Sequence, residues 1–311
     1  QVGLDGAKTI CINTDAQDLL YTDADEKILI GKEITEGLGS GANPKVGEAA
    51  AKESKETIKK ALEGADMVFI TCGLGGGTGT GAAPIVAEVS KKSNALTVAI
   101  VTLPFHMEGQ HRAENARVGL EKLEESVDTL IIIPNEKLME IVPDVSINTA
   151  FKVADEILVN AVKGTAELVT KPGLINLDFA DIKSVMGSGG MAMIGMGESD
   201  TENRAYEAVQ KALTNPLLEV DIEGATGALI NVTGGNLTLK EAKEIVNAVT
   251  TRLSPDAKVI WGAMVARELG DTIRAMIIVT GVNSPQIFST TNTFSNGQKK
   301  EIEQRLGIDF V

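Results

Sequence analysis

The sequence predicts an α/β fold, with a doubly wound, mostly parallel sheet, a long central helix and a second, smaller α/β domain. Three observations carry that prediction. Strand-like and helix-like segments alternate over the first two-thirds of the 311 residues, and the strand-like segments are nearly continuous apolar runs. A Lys171-Pro172-Gly173 breaker then separates this region from a second alternating set. Continuous apolar runs suit parallel strands covered on both faces. Their alternation with amphipathic helices gives a doubly wound sheet, whose ligands sit at the carboxyl ends of strands.

Taken in order, strands are expected over residues 9–13, 67–72, 97–103 and 129–134, with amphipathic helices over 47–63, 82–92 and 108–125. A long helical pattern covers 148–169 and stops at the breaker. Beyond it, strands at 190–197 and 228–233 are each followed by a helix, at 202–213 and 239–253. Two further strands, 258–265 and 272–282, are separated by a short polar turn and are expected to pair as neighbours. Residues 283–298 are rich in Ser, Thr and Asn without periodicity, as a linker would be. A short charged helical stretch and an apolar end, Gly307-Ile308-Asp309-Phe310-Val311, close the chain.

Composition narrows the function. The chain has 29 basic and 43 acidic residues for a net charge of −14, with seven Phe, two Tyr and one Trp. So acidic a chain with so few aromatic rings offers neither the basic face nor the stacking platform of a nucleic-acid binder. Cys11 and Cys72 lack metal-ligand spacing and are expected to be buried free thiols in a reducing cytosol. No apolar run approaches ~18 residues and no apolar leader opens the chain, so neither a membrane span nor a signal peptide is expected. The first residue is Gln1, not Met, and the gene product is expected to extend upstream.

The densest chemical signal is Gly73-Leu74-Gly75-Gly76-Gly77-Thr78-Gly79-Thr80-Gly81, after a buried strand and before a helix with Pro84 expected in its first turn. Glycines there let backbone N–H groups approach a phosphate, and the helix N-terminus adds a favourable dipole. A P-loop would require Gly-Lys-Ser/Thr, and no Lys follows the run. Gly77 to Ala82 fits a loose Gly-x-Gly-x-x-Ala dinucleotide pattern, but the next strand ends Val101-Thr102-Leu103-Pro104 without the carboxylate that would hold a ribose. Asp178 and Asp181 lie three apart after the breaker; by spacing alone this is a helix cap, although two such carboxylates can also orient a water. Phe151 and Asp155, four apart, share one face of the central helix. Glu108 and Arg112 form an i, i+4 pair whose ordinary reading is a surface ion pair.

Gly76-Gly77-Thr78-Gly79-Thr80-Gly81 resembles the signature of the tubulin/FtsZ superfamily, and the neighbouring motifs resemble FtsZ in particular, most closely its archaeal branch. Asn13-Thr14-Asp15-Ala16-Gln17 resembles the loop after the family's second strand, and Gly39-Ser40-Gly41-Ala42-Asn43-Pro44 its γ-phosphate-sensing loop. The resemblance implies nucleotide contacts from Gly41, Ala42, Asn43, Gly75, Gly76, Gly77, Thr78, Gly79, Thr80, Gly81 and Thr102. It further implies sugar contacts from Pro104, Glu108 and Arg112, a ribose or base contact from Asn135, and guanine contacts from Phe151 and Asp155. Asn176-Leu177-Asp178-Phe179-Ala180-Asp181 resembles the catalytic loop that enters the next subunit, giving Asn176, Asp178 and Asp181 as catalytic residues. The family opens with a strand and a first phosphate loop that the residues from Gln1 onward do not supply, and these are expected upstream.

The implied organisation is a GTP-binding domain over 1–147, a central helix over 148–170, an activation domain over 171–282, and a linker with a partner-binding peptide over 283–311. The implied function is a GTPase of the cytoplasmic mid-cell division ring. It would use GTP/GDP and Mg²⁺ and polymerise head to tail with itself, binding no nucleic acid and inserting no segment into the membrane. Leu306, Ile308, Phe310 and Val311 would engage a membrane-anchoring adaptor resembling SepF. A superfamily member that polymerises for shape control with slow or absent hydrolysis is the alternative, which the 176–181 loop opposes.

Overall fold

A computed structural model describes residues 7–137, 146–171, 173–175, 177–187, 190–218 and 222–282. Asn176 and the terminal Leu306, Ile308, Phe310 and Val311 lie outside the described residues. Strand β1 (Ile10–Asn13) pairs in parallel with β2 (Glu26–Leu29), which the sequence pattern missed. The other seven strands among the described residues form one sheet: β3 (Met67–Gly73), β4 (Leu96–Leu103), β5 (Thr129–Pro134), β6 (Gly190–Ser199), β7 (Gly227–Gly234), β8 (Lys258–Val265) and β9 (Ile273–Thr280). Their spatial order is β3-β4-β5-β6-β9-β7-β8.

The expected parallel half is present. Strands β3, β4, β5 and β6 run parallel, and β6 joins β5 through only three residue pairs, Thr129–Gly190 to Ile131–Ala192. The expected pairing of the last two strands is not. β9 lies antiparallel between β6 and β7, and β8 pairs in parallel with β7. The turn between β8 and β9 therefore crosses the end of β7. That crossing is close enough that a Cβ on Gly235 would stand 2.3 Å from the Gly270 carbonyl oxygen, with Gly270 itself at φ +53°.

Among the described residues ten α-helices cover these strands: α1 (Ala16–Tyr21), α2 (Lys32–Thr35), α3 (Pro44–Glu53), α4 (Lys55–Ala61), α5 (Thr78–Lys92), α6 (Gln110–Ser126), α7 (Ile147–Thr170), α8 (Phe179–Met186), α9 (Arg204–Leu213) and α10 (Leu239–Thr250). The pattern expected as one helix over 47–63 is two, because Ser54 leaves the helical register and its hydroxyl accepts the Gly31 amide at 3.1 Å. Helix α5 begins four residues earlier than expected. Pro84 is thus inside the helix, and the first turn is built from the glycine run itself. Val86, Val89, Leu120 and Leu123 pack with Val101, Leu130 and Ile132 in one apolar cluster of the parallel half. Ala161, Leu168, Ile182 and Met186 of α7 and α8 pack with Ile100, Ile131 and Ile133 in another. No described helix is long and apolar enough to cross a membrane.

Beside the second half of the sheet, Arg204 is a structural anchor, only 13% exposed at its side chain. It donates to Glu241 at 2.7 Å, to Asn236 Oδ1 at 2.6 Å and to the Asp271 carbonyl at 2.6 Å. Burial works to raise the Glu241 pKa, but hydrogen bonds from Arg204 and from its capping partner Thr238 outweigh it and hold the carboxyl at about 2. A depressed carboxylate contributes stability that is complete above its unfolded value and lost as pH falls through the folded one. Acid titration from pH 5 to 2 should therefore remove about 1–3 kcal/mol that Glu241→Gln lacks at every pH. Denaturant melts at pH 6 and pH 3 measure it; parallel losses in both proteins would refute the assignment.

Candidate nucleotide site

The site lies at the carboxyl ends of β1, β3, β4 and β5, where the predicted loops meet. Asn13 ends β1, and its side-chain Oδ1 accepts the Thr14 and Asp15 amides at 2.8 and 3.2 Å. This tight turn aims the fully buried Thr14 at the glycine loop, where its hydroxyl lies 2.6 Å from that of Thr78. Ser40 approaches the same Thr78 hydroxyl at 3.0 Å from the third loop. Three hydroxyls thus cluster at the start of α5, a helix whose N-terminus no side chain caps. Its first amides and their dipole remain available to an anion.

The glycines divide into two kinds. A Cβ on Gly77 would stand 2.3 Å from Ser40 Oγ, one on Gly81 2.0 Å from the Pro44 carbonyl oxygen, and one on Gly79 2.7 Å from the Gly73 carbonyl. These glycines let α5, α3 and the strand end approach one another. A Cβ on Gly76, by contrast, meets nothing within 4 Å. Gly76 is therefore where the loop backbone faces open space. Thr80 is buried, and its hydroxyl accepts the Gly75 amide at 2.9 Å, closing the loop on itself. Cys11 and Cys72 are free thiols, half-buried where burial was expected, and burial pushes the Cys72 thiol up to about 12.

The loop bearing Gly41, Ala42 and Asn43 carries backbone strain. Gly39, Gly41 and Ala42 all have positive φ (+85°, +58° and +55°), and Ala42 pays a steric penalty there that glycine would not. Asn43 caps α3 by accepting the Lys45 amide, with Pro44 in the first turn.

Beyond β4, Thr102 is half-buried and its carbonyl oxygen accepts the Leu74 amide at 2.9 Å. Pro104 packs toward Gly75, where a Cβ would lie 3.3 Å from its ring. One Glu108 oxygen accepts the Phe105 amide at 2.9 Å and the other the Arg112 guanidinium at 2.9 Å. The pair shapes the rim of the site. Phe105 is buried and meets Phe151 edge to face, with ring centroids 5.3 Å apart. Phe151, although apolar, is 41% exposed, so a planar base has a ring to stack on. Asp155, one turn further along α7, is exposed. Asn135 follows β5, is only 5% exposed, and its side-chain Oδ1 has no hydrogen-bond partner among the described residues. A buried acceptor without a donor is costly, and a ribose hydroxyl or base N–H would satisfy it.

Asp178 and Asp181 do not join this site within the chain. Asp178 caps α8 by accepting the Asp181 amide at 2.8 Å, the local role that spacing suggested, and both residues are exposed. Leu174 and Ile175 bond Ala263 of β8, six strand spacings from β3, which is ~29 Å across a sheet.

Sequence reasoning missed Asn115. From α6 its amide group donates to the carbonyl oxygens of Ala42 at 3.3 Å and Gly75 at 3.2 Å. The available signal was its position three residues after Arg112, continuing the Glu108–Arg112 face of the helix.

The chain resembles known proteins along most of its length. Residues 4–143 match the model of the Tubulin/FtsZ family GTPase domain, and 190–283 that of the FtsZ family C-terminal domain. The chain is 64% identical to the cell division protein FtsZ 1 of Thermococcus kodakarensis over 92% of its length and 76% of the relative's. It is 63% identical to that of Methanocaldococcus jannaschii, over 93% and 80%. A solved empty FtsZ dimer from M. jannaschii superposes with a TM-score of 0.88 at 64% identity, over 90% of this chain and 82% of that one. CetZ2 of Haloferax volcanii shares the fold alone, with a TM-score of 0.78 at 19% identity over 96% of this chain and 90% of that one.

Proposed function

Because the chain belongs to the tubulin/FtsZ family and is an FtsZ-type cell-division GTPase with archaeal relatives, we propose that it polymerises head to tail and hydrolyses GTP between subunits. One subunit binds the nucleotide, and the next supplies Asn176, Asp178 and Asp181. The observation that carries this reading is the separation of the two parts: the glycine loop follows β3 at one edge of the sheet, and the exposed aspartates begin α8, which packs on β7 and β8 at the other edge. A site that uses both needs two chains. A front-to-back contact of this kind does not close on itself and extends into a filament, and a relative at 64% identity has been solved as a dimer.

In this reading residues 1–147 hold the nucleotide, 148–170 present the base-facing side chains, and 171–282 carry the catalytic loop. The Gly76 backbone and the first turn of α5 receive phosphates, with the hydroxyls of Thr14, Ser40 and Thr78 beside them. Mg²⁺ bound with the phosphates would neutralise charge on their oxygens. Asp178 and Asp181 orient and polarise the attacking water, since phosphoryl transfer needs positioning and charge stabilisation more than covalent help. GTPase activity per subunit, measured against protein concentration in the full-length protein, tests the proposal. A cooperative onset is expected; specific activity independent of concentration would refute it.

Phe151 stacks on the purine, and the Asp155 carboxylate accepts the paired N1–H and N2–H₂ donors of guanine, a pair adenine lacks. Asp155→Ala should lose about 1–3 kcal/mol of GTP binding, and Asp155→Asn less, because its carbonyl still accepts. Competition with ATP measures it; undiminished preference for GTP in Asp155→Ala would remove Asp155 from the base site.

The filament works at the division ring through a membrane-anchoring adaptor of the SepF kind, bound by Leu306, Ile308, Phe310 and Val311. Deleting 306–311 should leave GTPase activity at the parental level and abolish recruitment to adaptor-coated liposomes. Retained recruitment would place adaptor binding elsewhere.

A further inference from the structure

We propose that Asn115 is a positioning residue that couples the strained loop at Ala42 to the glycine loop, and through them makes the site discriminate a nucleoside triphosphate from a diphosphate. The inference rests on the nucleotide-site reading above and assigns a residue that reading does not use.

Asn115 uses both hydrogens of one planar amide on two separate loops, at 3.3 Å to the Ala42 carbonyl oxygen and 3.2 Å to that of Gly75. Both accepting residues hold positive φ, +55° at Ala42 and +105° at Gly75. Positive φ at a non-glycine residue persists only where its surroundings over-determine it. At Ala42 the described surroundings include this one side-chain bond to its carbonyl.

The platform carrying the amide is rigid. Gly75 lies against the first turns of α6, where a Cβ on it would come within 3.0 Å of the Arg112 carbonyl. One turn after Asn115, Gly119 packs so closely on Thr80 that a Cβ would stand 2.4 Å from its methyl group. Asn115 is thus half-buried between two helix contacts that fix where its amide points. Among the described residues the bonds from α6 side chains to the two loops come from this neutral amide, so the link carries no charge that phosphates would repel or neutralise.

The consequence is specific to the end of the phosphate chain. The glycine loop meets phosphates through Gly76 and the start of α5, which serve a diphosphate and a triphosphate alike. The loop of Ala42 is the part implied to sense the γ-phosphate. Releasing it leaves the diphosphate contacts intact and adds the entropy of ordering a strained loop to the binding of the triphosphate alone.

The test measures the affinity of the full-length protein for GDP and for a non-hydrolysable GTP analogue by calorimetry, in the parent, Asn115→Ala and the similarly shaped, uncharged Asn115→Leu, which loses both donors. Both variants should bind the analogue about tenfold more weakly while GDP affinity changes less than about threefold, with melting temperatures near the parent's. If Asn115→Ala does not fold, Asn115→Leu carries the comparison alone. Parental affinity for both nucleotides, or an equal loss for both, would overturn the coupling. A parent that binds neither nucleotide would overturn the nucleotide-site reading itself.

Discussion

Asp178→Asn and Asp181→Asn are expected to bind GTP with parental affinity and to assemble, yet to hydrolyse at least about 100-fold more slowly. Their filaments should therefore persist. The amide is the informative substitution because Asp178 has a second duty: it caps α8 by accepting the Asp181 amide at 2.8 Å. Asn caps as well as Asp, whereas Asp178→Ala also gives up about 1 kcal/mol of helix stability. Comparing Asn with Ala at 178 separates the charge from the cap. Mixing supplies the stronger evidence, because under the shared-site proposal a subunit that binds GTP but lacks the carboxylates would be completed by a neighbour that retains them. Adding a non-binding variant with intact aspartates should restore turnover to Asp178→Asn filaments. If each Asn variant lost GTP affinity by the factor it lost turnover, the aspartates would belong to their own subunit's pocket and the shared site would be wrong.

What could be read from the sequence followed how much of each feature is local. Strand β5 was legible to the residue because Thr129-Leu130-Ile131-Ile132-Ile133-Pro134 is an apolar run bounded by Asp128 and Asn135. Strand β2 was not, since Glu26 and Lys27 occupy half of a four-residue strand. The break between α3 and α4 was hidden because it depends on Ser54 reaching Gly31, 23 residues away. The order of β7, β8 and β9 turns on the close approach of Gly235 and Gly270, which no pattern within either strand encodes. In the site, the glycine run was visible by composition, but the division of labour within it was not. Phe151 is exposed as a ligand-facing ring would be, although an apolar residue on a helix is more often core. Asn115 looked like any polar residue on an exposed helix face until α6 was seen to cross two loops.

That division of labour makes the sharpest prediction about the glycine loop, because two substitutions of the same kind should fail for opposite reasons. At Gly81 a methyl group would stand 2.0 Å from the Pro44 carbonyl oxygen and 2.6 Å from the Glu48 amide nitrogen, both backbone atoms of α3. Neither can swing aside as a side chain would, so Gly81→Ala must push α3 and α5 apart. Overpacking of this sort costs about 1–3 kcal/mol or more, and melting should fall by several degrees with or without nucleotide. Facing it across the same contact, Gly47 would place its own Cβ 2.2 Å from the Gly77 carbonyl oxygen, so the helices have no slack to absorb the shift. Gly76 is the opposite case. Its Cβ would meet no protein atom within 4 Å and its φ is not positive, so alanine fits both the space and the backbone. Gly76→Ala should melt with the parent in the absence of nucleotide, yet bind GTP at least about tenfold more weakly, because the added methyl occupies the space through which phosphate oxygens reach the amides. Adding GTP should then stabilise the parent and not the variant. A Gly76→Ala protein that gains the same stabilisation from GTP as the parent would show that phosphates do not approach the loop at this position, and the cradle would have to be sought at the hydroxyls of Thr14, Ser40 and Thr78.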